Sequence, residues 1–102
     1  MSKPFYEDYV NHAMRFFARN PAINMRKPGL KNTDIQNWTV CNDVLNTFPA
    51  PEQTIILSVY KSKCSMPDSV RSIAGQLGMS EDSVWKILNR FSREFAKRRG
   101  LI

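Results

Sequence analysis

The chain has 102 residues, 42% of them hydrophobic, which is enough for one folded domain with a single core. Its formal net charge is +6 at pH 7, and this favours a polyanionic partner, with nucleic acid preferred to a membrane surface. No apolar run is long enough to cross a bilayer, and the N-terminus lacks the apolar core and cleavage site of a secretory leader. We therefore expect a cytoplasmic protein that does not enter the membrane.

The side chains that enzymes and metal sites require are sparse in this sequence. His12 is the single histidine, and no acidic or cysteine cluster at metal-ligand spacing accompanies it. The four glycines are scattered and form no phosphate-binding loop. Cys41 and Cys64 stand 23 residues apart without a partner motif, so we expect two reduced, partly buried thiols. These features predict a protein that is not an enzyme and has no metal or cofactor.

The first predicted helix spans residues 5–19 and holds five of the eleven aromatic residues, Phe5, Tyr6, Tyr9, Phe16 and Phe17. Such an apolar helix either closes the core or forms a homodimer, and closing the core is the preferred interpretation. Residues 20–33 contain two prolines and a glycine, so they are predicted to be a connection. Its cations could hold a phosphate backbone or only aid solubility; they are Arg26, Lys27 and Lys31. We predict an N-terminal helix and basic linker over residues 1–33, packed on a DNA-binding domain over residues 34–102.

Two further helices are predicted before the C-terminal third of the chain. Thr33 or Asp34 can cap the first of them, whose three- to four-residue apolar spacing is carried by Ile35, Trp38, Cys41, Leu45 and Phe48. The prolines at 49 and 51 end that helix and start the next, predicted over residues 51–61 with Ile55, Ile56, Val59 and Tyr60 buried. Ser65 or Asp68 is placed to cap the helix that follows. Because no alternating strand pattern is present, we predict an all-α chain of about five helices.

A glycine separates two apolar stripes within residues 70–91. The first stripe, which we expect to be buried, consists of Val70, Ile73, Ala74 and Leu77. Gly78 suits the left-handed conformation that follows a helix end, and Ser80 is placed to cap a helix that begins at Glu81. The small Ala74 side chain permits a close, steep crossing of the two helices. This pattern predicts a helix-turn-helix, with an ordinary helical hairpin as the alternative.

The helix that begins at Glu81 has one apolar and one polar face. Its apolar stripe is Val84, Ile87, Leu88, Phe91 and Phe95. The opposite face carries Asp82, Lys86, Asn89, Arg90, Arg93 and Lys97. Residues 86–99 hold +5 of the net charge of +6. Clustered cations on a candidate recognition helix are typical of a DNA-binding protein, and a merely solvated face is the alternative.

Residues 44–101 resemble region 4 of bacterial sigma factors, the C-terminal DNA-binding domain of the specificity subunit of RNA polymerase. The matching segments are LNTFPAPEQTIILSVY and VRSIAGQLGMSEDSVWKILNRFSREFAKR. The resemblance implies a helix-turn-helix that reads the upstream promoter element in the major groove. It makes Glu81, Asp82, Trp85 and Lys86 base-facing residues. Asp82 would accept a hydrogen bond from the exocyclic amine of cytosine, or only complement the helix dipole. Trp85 stands where the family frequently has arginine, and Ser72 where it usually has glutamate.

The sequence therefore predicts a sequence-specific transcription regulator whose helix over residues 81–97 enters the major groove of double-stranded DNA. The predicted DNA-binding residues are Glu81, Asp82, Ser83, Trp85, Lys86, Asn89, Arg90, Arg93, Lys97 and Arg71. The other sigma regions have no counterpart in these residues, which fits a phage or mobile-element protein that works with RNA polymerase core or another partner. Two alternatives remain at this point: an all-helical adaptor that binds proteins, and a DNA-packaging subunit similar to a phage small terminase, assembled through its N-terminal helix.

Overall fold

The computed structural model describes residues 5–20, 29 and 31–102. Over these residues the chain forms five α-helices and no strand, which confirms the predicted all-α class. The helices are α1 (Glu7–Arg19), α2 (Asn32–Leu45), α3 (Ala50–Lys61), α4 (Met66–Leu77) and α5 (Glu81–Arg98). None of the described helices is long and apolar enough to cross a membrane. Most of the predicted basic connection, with Arg26 and Lys27, lies outside the described residues.

Three helices begin at other residues than the sequence indicates. α3 begins at Ala50, one residue before its predicted start. α1 begins at Glu7 rather than Phe5, whose side chain is 77% exposed. α2 begins at Asn32, so the prediction that Thr33 or Asp34 is its N-cap is wrong. Asp34 instead lies in the first turn, where its carboxylate accepts a hydrogen bond of 3.4 Å from the backbone N–H of Lys31. An acidic residue inside the first turn satisfies a backbone donor from within the helix, and so it resembles a cap in the sequence.

All five helices contribute to one core. The largest completely buried side chains come from every helix and include Met14, Val44, Ile56, Tyr60, Val70, Leu88, Phe91 and Phe95. α1 lies against α2, α3 and α5 and contributes Val10, Met14 and Phe17. Leu77 is an exception to the predicted burial, because its residue is 55% exposed. It is the last residue of α4, one turn beyond Ala74, where the buried face of that helix ends.

A polar network joins the two ends of the described chain. The Oδ1 atom of Asn37 accepts hydrogen bonds from Arg99 Nε at 2.8 Å and from the Tyr9 hydroxyl at 3.1 Å. Arg99 also donates from Nη2 to the Tyr9 hydroxyl oxygen at 3.1 Å. Asn37 is only 7% exposed, so its oxygen needs these donors. Arg99, which the sequence counts among the cations of the basic stretch, is therefore engaged by α1 and α2.

The turn between α4 and α5 has the predicted chemistry. Gly78 adopts φ 66° and ψ 29°, the left-handed conformation, and the Met79 N–H donates to the Ala74 carbonyl at 3.0 Å. Ser80 caps α5, its Oγ accepting from the Ser83 N–H at 3.1 Å. These contacts confirm the glycine-terminated helix and the start of the next helix at Glu81. They place α4 and α5 in direct contact across a turn of three residues.

Two glycines of this region should respond oppositely to the same substitution. We expect Gly78→Ala to lower the free energy of unfolding by about 1 kcal/mol, because a Cβ is penalised at positive φ. Gly75 lies inside α4 with open space where a Cβ would stand, so Gly75→Ala should raise it by about 0.5–1 kcal/mol. Urea unfolding followed by circular dichroism measures both. Equal effects of the two substitutions would contradict this account of the turn.

Burial changes the acidity of two groups in the core. It raises the pKa of the Cys41 thiol to about 12, while Cys64 is exposed, contrary to the predicted partial burial. Burial is also the main reason that the pKa of Tyr60 is raised; its hydroxyl donates to Asn11 Oδ1 at 2.9 Å. Both groups keep their protons in the folded state at a pH where the unfolded chain loses them.

We expect stability to fall as the pH rises above about 9, the range in which an unfolded thiol ionises. The sign follows because a group whose pKa is raised in the folded state stabilises the folded chain fully below its unfolded pKa, and this stabilisation is lost as the pH rises towards the folded pKa. Each group should lower the free energy of unfolding by up to about 1.4 kcal/mol for each pH unit in this range. Urea unfolding between pH 8 and 11 should show a shallower loss for Cys41→Ala than for the wild type. Cys64→Ala is the matched control and should keep the wild-type slope.

Candidate nucleic-acid interface

The polar face of α5 is a row of exposed cations. At 100° per residue, Lys86, Arg90, Arg93 and Lys97 fall within about 60° of the helix circumference. All four are exposed, while the predicted apolar stripe on the other side is buried. Asn89 is exposed beside them. The row spans twelve residues, and the eleven steps of about 1.5 Å between its ends give a length of about 16 Å along the helix. We call Lys86, Arg90, Arg93 and Lys97 the cationic row.

The N-terminal end of α5 has a different character. Glu81, Asp82 and Ser83 are exposed, and the Ser83 hydroxyl lies 2.8 Å from that of Ser80, within the helix cap. Trp85 is half-buried and packs against the core, so only part of its indole is at the surface. The end predicted to face bases therefore presents two carboxylates, one edge of an indole and the ammonium of Lys86.

Arg71, on α4, lies next to the N-terminal end of α5. Its guanidinium lies 3.9 Å from the carboxylates of both Asp68 and Glu81. Its side chain is 71% exposed, and exposed pairs at this distance contribute little stability. Arg71 is thus placed at the same end of α5 as the acidic residues, and its guanidinium is accessible to a ligand.

Arg90 differs from the rest of the cationic row because α3 and the residues before it engage its side chain. The Arg90 Nη2 donates to Glu52 Oε1, and the guanidinium carbon lies 4.9 Å from the centre of the Phe48 ring. The contact borders an open groove of about 480 Å³, whose other walls include Thr47, Pro49, Glu94 and Arg98. Sequence reasoning missed Glu52 and Phe48, since a separation of 38 residues between Glu52 and Arg90 leaves no local pattern.

The remaining predicted residues differ in their partners. Lys97 Nζ lies 3.5 Å from a carboxylate oxygen of Glu94. Lys86, Asn89 and Arg93 make no side-chain hydrogen bond or ion pair with any residue that the structure describes. His12 is exposed, and the described residues contain no group of three potential metal-binding side chains. The structure thus brings Lys86, Arg93 and Lys97 together on one solvent-facing surface.

Comparison of the chain with protein-family models, with curated proteins and with solved structures finds no match in any of the three. The function is therefore inferred from the surface of α5 and its surroundings.

Reversing the charge of Arg90 should disturb the fold more than the same change at Arg93. Arg90→Glu would set two carboxylates against each other and remove the cation from the Phe48 ring, so we expect it to cost about 1 kcal/mol. Arg93→Glu, on an exposed position of the same helix, should stay within about 0.5 kcal/mol of the wild type. Urea unfolding compares the two. If Arg90→Glu proved as harmless as Arg93→Glu, the contact with α3 would not hold in solution.

Proposed function

We propose that the protein is a sequence-specific DNA-binding transcription regulator in which α4, the glycine turn and α5 act as a helix-turn-helix. The observation that carries the proposal is the solvent-facing cationic row of α5, which lies opposite the buried apolar stripe of the same helix. Clustered, solvent-facing cations can neutralise backbone phosphates, and they give an affinity for DNA that depends on salt.

The dimensions of α5 suit the major groove. Its 18 residues extend for about 27 Å, and the major groove, about 12 Å wide, admits one helix. In the proposed pose the first two turns face bases, with Asp82 accepting from cytosine and Lys86 donating to guanine. Arg93, Lys97 and Arg71 bind phosphates, with Asn89 and Arg90 beside them. The sigma region 4 resemblance agrees with this division of roles.

Transcription regulation, rather than DNA binding alone, rests on that resemblance. On the same resemblance we propose RNA polymerase core, or a protein that carries other sigma regions, as a partner. Self-association through α1 is a further part of the proposal. It is supported by two exposed aromatic residues near the start of that helix: Phe5, which precedes α1, is 77% exposed, and Tyr9, in its first turn, is 37% exposed.

A protein-binding adaptor is the second candidate. Glu81 and Asp82 favour the adaptor, because carboxylates at the N-terminal end of α5 would repel DNA phosphates. Trp85 favours the adaptor as well, because its indole is only partly buried and tryptophan is enriched in protein–protein interfaces. An adaptor would bind duplex DNA weakly or without dependence on salt.

The double substitution Lys86→Glu and Arg93→Glu tests the DNA-binding proposal. Both residues are exposed without a described partner, so the fold should persist. We expect the affinity for a pool of random-sequence duplexes to fall by roughly a hundredfold at low salt. The slope of log affinity against log salt should become shallower by about 0.9, because Arg93 binds a phosphate in the proposed pose while Lys86 faces a base. Fluorescence anisotropy at several salt concentrations measures both quantities, and selection from the same pool then identifies the preferred site.

The matched control is Arg19→Glu with Lys63→Glu, two exposed cations outside α5. This variant has the same net charge as the first and should retain most of the affinity. Equal losses in the two variants would indicate attraction by net charge alone. A wild-type protein that shows no salt-dependent binding to duplex DNA would refute the proposal in favour of the adaptor.

A further inference from the structure

We infer that Glu52 and a DNA phosphate compete for the guanidinium of Arg90, so that α3 withholds one cation of the row from the DNA. The inference rests on the proposed function and adds a device that sets its affinity. It concerns the contact of Arg90 with Glu52 and Phe48 on the border of the 480 Å³ groove.

Arg90 is the member of the pair that can move. The Glu52 side chain is 24% exposed, whereas that of Arg90 is 55% exposed. Glu52 also lies in the first turn of α3, where the helix dipole stabilises a carboxylate without any cation. Arg90 instead has a long stem on the exposed face of α5, within about 60° of the other cations of the row. Rotation of its side chain therefore moves the guanidinium between α3 and the row.

The contact with Glu52 uses little of the binding capacity of Arg90. A guanidinium has five N–H donors, and Nη2 is the one that bonds to Glu52 among the described residues. The contact joins one nitrogen to one oxygen, in place of the paired, parallel bonds that arginine forms with phosphate. Partly exposed ion pairs of this kind are weak. A phosphate that reaches the cationic row can therefore displace Glu52.

A different role for Glu52 would give the opposite result. A carboxylate that held the guanidinium in the orientation required by a phosphate would make Arg90 a better ligand, and its removal would weaken binding. Under competition, removal of the Glu52 charge strengthens binding and adds one phosphate contact. The direction of the change in affinity separates these two roles.

The test measures the binding of the full chain and of Glu52→Gln to random-sequence duplexes, by fluorescence anisotropy at several salt concentrations. The substitution keeps the size of the side chain and removes its charge. We expect an affinity about three- to tenfold higher at roughly 50 mM salt, and a slope of log affinity against log salt that is steeper by about 0.9, the value for one added phosphate contact. Circular dichroism verifies that the variant is folded.

Two controls separate release of Arg90 from a general loss of negative charge. In an Arg90→Met background, Glu52→Gln should change the affinity by less than about twofold, because no cation remains to be released. Asp43→Asn removes an exposed carboxylate that forms no ion pair with a described residue, and it should leave the slope at the wild-type value.

Several results would overturn the inference. They are an unchanged or lower affinity of Glu52→Gln, a gain equal to that of Asp43→Asn, and a gain that persists in the Arg90→Met background. In each of these cases, salt-dependent binding of duplex DNA by the wild-type protein would still support the proposed function. A wild-type protein that did not bind duplex DNA would refute the proposed function and, with it, this inference.

Discussion

Burial of the apolar stripe of α5 is the interaction on which the rest of the structure depends. Val84, Leu88, Phe91 and Phe95 are almost completely inaccessible to solvent, and α5 packs against each of the other four helices. A helix held along one side has no rotational freedom about its axis. The orientation of the cationic row is therefore determined by residues that take no part in binding, and the affinity and stability of the protein are largely separate properties of one helix.

The charges along α5 are distributed unevenly, and this unevenness shapes how a polyanion can approach. Carboxylates occupy the first turn, where they complement the helix dipole, and cations follow from Lys86 onward. A polyanion would be attracted by the middle and the end of the helix and repelled by the carboxylates of its first turn. Arg71 offsets part of the negative charge at that end. Glu52 reduces the positive charge on one side of the row.

Local features could be predicted from the sequence, and contacts between distant residues could not. The left-handed Gly78, the Ser80 cap and the buried stripe of α5 depend on residues within one or two turns, so spacing and residue type were sufficient. The partner of Arg90 and the network of Tyr9, Asn37 and Arg99 depend on how helices pack, which single-sequence periodicity does not encode. Leu77 has the right spacing for burial, yet α4 extends beyond the core there. The exposed positions of the DNA-binding face were inferred from the same periodicity, but their role in binding remains a prediction.

The network of Tyr9, Asn37 and Arg99 has a consequence for how the protein is made. Tyr9 and Arg99 are 90 residues apart, and α5, which packs against the other four helices, follows them in the chain. Until α5 leaves the ribosome, the earlier helices present an apolar face without its partner. Contacts across so long a separation are slow to form because closing the chain costs entropy. The core formed by the described helices can therefore close only after α5 has been synthesised.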